Sequence, residues 1–171
     1  QGNGNIEYDV PACKPGTPPA ECTHTVSSEQ PVDYFYSDET WGDGQTTEVD
    51  LAFAAPHVHV SALSLELQDA VTNTTICKVS RGDGVAYGGG RAAGDEENYL
   101  VGLQPCSFDG ASAPRFRRDH RLRTIAVYNA TTAQTGVMSL WLMSAAQVYN
   151  AATCKAALAR SGCLAAGGAD A

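Results

Sequence analysis

Between residues 49 and 142 the chain repeats one pattern. Apolar and polar side chains alternate over a short run, and then Gly, Asp or Asn interrupts. Val49, Leu51 and Phe53 alternate with Asp50 and Ala52, and Leu63, Leu65 and Leu67 with Ser64, Glu66 and Gln68. His57–Val60, Ile76–Val79, Tyr99–Leu103, Thr124–Tyr128 and Val137–Leu142 are further runs of this kind. Successive side chains on a strand point to opposite faces, so alternation with period two presents one face to a core and one to solvent. Many short alternating runs separated by turns predict an all-β fold: an antiparallel, jelly-roll-like β-sandwich.

The ends depart from this pattern. Asn5–Val10 alternates and then stops at Pro11. The stretch Pro15-Gly16-Thr17-Pro18-Pro19 sets it apart from the body. This predicts a detached N-terminal strand. Ala145–Ala159 is rich in Ala, the strongest helix former, and predicts a short C-terminal helix. The expected division is an N-terminal extension over 1–40, a sandwich over 41–146 and a helical tail over 147–171.

Composition narrows the class. At 171 residues and 17.9 kDa the chain has the length of one domain. Hydrophobic residues at 43% against 18% charged suit a packed core. A net charge of −8 argues against nucleic-acid binding, which draws on positive charge. The stretch Thr124–Cys154 carries no charge but is full of Asn, Gln, Thr and Ser, so no membrane span is expected. Gln1 is read as the start of a mature chain whose leader was removed.

Six cysteines are an even number, as in secreted proteins. Cys13 and Cys22 have the same spacing as Cys154 and Cys163, which leaves Cys77 and Cys106. The local pairing is the economical one among the fifteen possible, each bridge worth about 2.5–3.5 kcal/mol in the chain-entropy model. The absence of a C-x2-C spacing disfavours zinc. Two sequons, at Asn73 and Asn129, fall in turn-like contexts and predict N-linked glycans on an extracellular protein.

Three segments carry a family resemblance. They are His57-Val58-His59 with Ile76-Cys77, then Tyr87–Leu103 with its core Gly94-Asp95-Glu96-Glu97-Asn98-Tyr99 ahead of Cys106, and last Gln134–Trp141. In this order they resemble the stress-up-regulated nodulin family of plant and algal secreted proteins. At greater distance, H-x-H followed by a late Met strand is similar to the C-terminal domain of copper type II, ascorbate-dependent monooxygenases. That resemblance implies that His57, His59 and Met138 hold one copper ion on a β-sandwich. Gln134 stands where some relatives carry His, and the companion electron-transfer domain is expected to be missing; both departures from the family pattern count against monooxygenase activity.

The residues themselves allow each reading an ordinary alternative. Two histidines two apart on a strand share a face, and with a thioether they suit Cu(I). They also suit a packed surface, and Met138 suits a core. Asp95, Glu96 and Glu97 offer oxygens to calcium, yet without EF-hand spacing they read first as a turn. Arg115, Arg117, Arg118, Arg121 and Arg123 against Asp119 give the segment 115–123 a net +4, which leaves −12 for the rest of a chain at −8. This patch reads as a solvated hairpin, or as a dock for anionic glycans or for the acidic side of another copy. No G-x-S-x-G, H-E-x-x-H or phosphate loop is present, so no hydrolase constellation stands out, and the chain is read as more a non-enzyme than an enzyme.

The expected function is that of a secreted structural glycoprotein. It would be a self-assembling filament subunit, joined to other copies through Ile6, Tyr8 and Val10 by strand addition and through the arginine patch. The alternative is an extracellular copper-binding protein. A glycan-binding role through Tyr34, Tyr36 and Trp41 is a third possibility.

Overall fold

The computed structural model describes residues 7–35 and 48–148. It is built almost wholly of strands in chain order. These are β1 (Tyr8–Val10), β2 (Thr23–Pro31), β3 (Glu48–Val58), β4 (Ala62–Asp69), β5 (Thr74–Arg81) and β6 (Gly84–Tyr87), then β7 (Leu100–Leu103), β8 (Cys106–Ser107), β9 (Arg115–Arg117), β10 (Arg121–Asn129), β11 (Gln134–Val137) and β12 (Ser139–Val148). One helical turn, Val32–Phe35, follows β2, and one 3-10 turn, Gly110–Ser112, precedes β9.

Two sheets face each other, as the alternation predicts. The larger runs β2-β10-β4-β5-β6-β7 and the smaller β12-β3-β8, with β9 also on β3; β1 and β11 form a separate pair. Nearly every pairing is antiparallel, the short β5–β6 contact being parallel. Leu65, Leu67, Ala126 and Tyr128 of the larger sheet pack in one core with Val49, Leu51, Val58 and Trp141 of the smaller. Burying one side chain of this size stabilises by about 1.5–3 kcal/mol, so the alternating positions account for much of the fold. A disulfide joins Cys77 on β5 to Cys106 on β8, with a Cα separation of 6.0 Å. It therefore ties the two sheets together.

Four expectations about the ends need correction or fall away. First, residues 1–40 are not only an extension, because β2 pairs with β10 over nine positions from Thr23↔Asn129 to Pro31↔Arg121. Its sequence, Thr-His-Thr-Val-Ser-Ser-Glu-Gln-Pro, lacks an apolar face because it lies at the sheet edge. Second, the N-terminal strand is not detached: Tyr8 pairs with Val137 and Val10 with Gln134, both in β11 of the same chain. Val10 is fully buried. Ile6 lies outside the described residues. Third, Ala145–Val148 are not the start of a helix but the end of β12, paired with Leu51, Asp50, Val49 and Glu48 of β3. Sheet pairing overrides the helix preference of Ala there. The remainder of the expected helical tail lies outside the described residues. Fourth, the bridge Cys13–Cys22 forms, with a Cα separation of 5.6 Å, but does not stiffen a free end. Cys22 belongs to the core, and Cys13 N–H and Cys22 C=O bond to the backbone of Ala130. Cys154, Cys163, Tyr36 and Trp41 are outside the described residues.

Candidate functional site

The H-x-H pair ends β3. Val58 between the histidines is buried, which turns His57 and His59 to the outer face of the smaller sheet, each half-buried. Their ring centroids stand 5.4 Å apart. The residue just ahead of the neighbouring strand β12 is the third candidate. Val58 pairs with Ser139 and His57 with Leu140. One step further, His59 N–H donates to Met138 C=O at 3.1 Å. Residues directly opposite in an antiparallel pair share a face and lie within about 4.5–5.5 Å at Cβ. His57, His59 and Leu140 therefore form one patch, and Met138, held by its backbone to His59, borders it.

Two features mark this patch chemically. His57 Nε2 is buried without a hydrogen-bond partner. Burial, together with the neighbouring His59, holds the His57 pKa below its ordinary value of 6.5. A neutral imidazole keeps the lone pair that a metal takes. Behind the patch, the Met138 carbonyl accepts a second bond, from Tyr128 Oη at 2.7 Å. Tyr8 Oη donates to Tyr128 Oη at 3.2 Å and shares a further hydrogen bond with Ser139 Oγ. Burial first, and then the bond from Tyr8, push the Tyr128 phenol up, so it stays a donor. These two tyrosines carry no sequence motif; only the fold brings Tyr128 to the backbone of Met138 and Tyr8 to Tyr128.

The other histidines are elsewhere. His120 stacks on Phe116 with centroids 5.2 Å apart, and its Nε2 lies 3.0 Å from Asp69 Oδ1. His24 pairs with Tyr128 across β2 and β10. Among the described residues, no group of three or more His, Cys, Asp or Glu comes together as a metal cluster. A metal at the patch thus depends on the Met138 sulfur as well as the two imidazoles.

The arginine patch is largely paired within the chain. Arg115 forms a two-pronged bond to Asp50 at 2.7 and 2.8 Å. Arg121 and Arg123 both reach Glu29, at 2.6 and 3.1 Å. Arg118 lies 3.6 Å from Asp33, and Arg117 lies 3.4 Å from Asp119. Arg115 holds the Asp50 carboxyl below its ordinary range, and Arg121 with Arg123 do the same for Glu29.

The acidic segment is a loop that caps itself. Asp95 accepts from the backbone N–H of Gly89 and Arg91, and Glu96 from that of Gly94. A Cβ at Gly88 would lie 2.1 Å from the Glu96 carbonyl, so this close crossing requires glycine. Asn73 sits exposed at the β4–β5 hairpin tip. Asn129, at the end of β10, is half-buried and lines a small cavity.

A family model described as stress up-regulated Nod 19 matches residues 1–148. The chain belongs to the stress up-regulated Nod 19 family. The match reaches further toward the N-terminus than the three segments that carry the resemblance, and so takes in β1 and β2. For this Nod 19 domain, no curated protein and no solved structure matches.

Proposed function

We propose that this domain is an extracellular protein that binds one copper ion as Cu(I) through His57, His59 and Met138. The observation that carries the reading is the backbone bond from His59 N–H to Met138 C=O at the end of the β3–β12 pairing, which brings Met138 beside the two imidazoles. Two nitrogens and a thioether suit Cu(I) better than zinc or calcium. The orphaned Nε2 of His57 supplies a donor atom that the protein itself does not use. Bound copper would bring one-electron redox chemistry to the sheet surface. The two disulfides suit an oxidising compartment, and the sequon at the exposed Asn73 suits glycosylation there. Among the described residues no helix is long and apolar enough to cross a membrane.

A filament joined through the N-terminal strand is the less economical reading of this geometry. β1 already pairs with β11, and the arginines of the patch already face carboxylates in the same chain.

The test is metal loading of the full chain with Cu(I) under ascorbate, followed by metal analysis and X-ray absorption. One copper per chain with nitrogen and sulfur neighbours is expected. The double variant His57→Ala/His59→Ala should lose at least about a hundredfold in affinity, since two of three ligands go. Equal copper content in the double variant overturns the reading.

A further inference from the structure

A second site lies beyond the turn that follows His59, and it stands on observations independent of the copper reading. It is a cavity of about 180 Å³ lined by Ser61, Arg81, Tyr87, Asn98, Asn129 and Thr131. These residues come from the β3–β4 turn, the end of β5, β6, the acidic loop and the β10–β11 turn.

The cation in it is unlike those of the arginine patch. Among the described residues Arg81 meets no carboxylate. Its guanidinium lies over the Tyr87 ring, 4.6 Å from the centroid, and one Nη reaches Asn98 Oδ1 at 3.4 Å. The Tyr87 hydroxyl is anchored on the Ala62 carbonyl at 2.6 Å, so the ring under the guanidinium is fixed. The stack fixes the direction of the fork while leaving donors open.

The backbone is held in an unusual form at the same place. Among the described residues only Ser61, Asn73 and Asn98 are non-glycine residues with positive φ, at 75°, 57° and 64°. Asn73 belongs to a hairpin tip; the other two line this cavity. Strained backbone of this kind, at about 1–3 kcal/mol each, collects at ligand sites. Ser61 is further tied to Asn129, whose N–H donates to the Ser61 carbonyl at 2.8 Å.

We propose that this cavity binds a single uronic acid residue at the end of an extracellular glycan. The planar fork of Arg81 matches one carboxylate; the oxygens of Asn98 and Asn129 already accept from Arg81 and from Thr131 N–H, and their amide N–H groups with the hydroxyls of Ser61 and Thr131 match the ring hydroxyls. The cavity lies below the range of about 300–1,000 Å³ typical of drug-sized ligands, which fits one sugar ring and not several. The net charge of −8 repels a polyanionic chain, which favours one terminal acid over a charged polymer.

The experiment uses the full chain made in an oxidising bacterial periplasm, where disulfides form and Asn129 stays unglycosylated. Titrations with D-glucuronate, D-glucose, acetate and inorganic sulfate are followed by NMR. Glucuronate should saturate the site. Glucose, acetate and sulfate should each bind at least about tenfold more weakly, because each lacks the carboxylate or the ring. Arg81→Gln should weaken glucuronate at least about tenfold. Asn129→Asp keeps the shape and places a carboxylate in the cavity. It should do the same with an unchanged melting temperature, which separates loss of the ligand from loss of the fold. Acetate or sulfate binding as tightly as glucuronate overturns the proposal. So does undiminished binding by either variant, or no glucuronate binding at all.

Discussion

Two regions of the molecule, the arginine segment and the histidine patch, carry opposite kinds of polar surface. Along the segment 115–123, which runs from β9 on the smaller sheet to β10 on the larger, five arginines meet Glu29, Asp33, Asp50 and Asp119, and the charges largely cancel locally. On the smaller sheet, two imidazoles stand side by side, His57 Nε2 has no partner, and the nearest cross-strand residues are Met138 and Leu140. A cluster can be conspicuous in the sequence and already satisfied in the fold. A pair can be modest in the sequence and left unsatisfied. Unmet bonding capacity separates a candidate site from a solvated surface.

The largest expected effect comes from uncoupling the two sheets. Cys77 and Cys106 are 29 residues apart, and a loop of that length constrains the unfolded chain by about 3.5 kcal/mol. Cys77→Ala/Cys106→Ala should lower stability to denaturant by that order. The arginine face should keep its ion pairs, because they lie away from this bridge. The copper patch should also keep its affinity, since β3 and β12 pair with each other and not across the core. Denaturant titration of both forms, with copper affinity measured on the folded variant, checks this. Copper lost together with the bridge would mean that the patch depends on the alignment of the sheets.

How far the sequence foretold this comparison depends on the range of the interaction. β3, β4, β5 and β10 were legible because alternation is local and their inner faces are apolar. β2 was not, because an edge strand of Thr, Ser, Glu and Gln has no apolar face to announce it. The end of β12 looked helical because Ala propensity is also local, whereas its pairing with β3 spans more than ninety residues. The shared face of His57 and His59 followed from their spacing. Met138 as a cross-strand neighbour of His59 came only through resemblance, because register is tertiary. The arginines were visible as a +4 segment, but Asp50 lies 65 residues from Arg115, and Glu29 lies 92 from Arg121. The Arg81 cavity has no local signature, being assembled from five separate segments.

A smaller effect distinguishes scaffold from ligand at the patch. Tyr128→Phe removes the bond to the Met138 carbonyl and leaves that carbonyl with His59 N–H alone. Loss of one such bond costs about 1 kcal/mol. Stability should fall by that amount. Copper affinity should fall a few-fold, as Met138 loses one of the two contacts that hold its backbone. An affinity unchanged within error, at the same stability loss, would make Tyr128 a core residue with no bearing on the ligand.

The smallest effect is on the arginine face, and its signature is in pH. Arg121 and Arg123 lower the Glu29 pKa from its ordinary 4.5 in the folded chain. The unfolded chain therefore binds a proton more readily than the folded one, and the ion pairs add stability at pH above the unfolded value. That contribution fades as pH falls through the lower, folded value. Glu29→Gln should thus reduce the melting temperature slightly at pH 7, and progressively less as the pH falls through the lower, folded value and the wild-type carboxyl becomes neutral. Added salt should shrink the neutral-pH difference, since Glu29 is exposed to solvent and screened. A difference between wild type and variant that does not shrink as the pH is lowered would assign Glu29 a packing role. The distinction between the two faces would then be one of shape and not of charge.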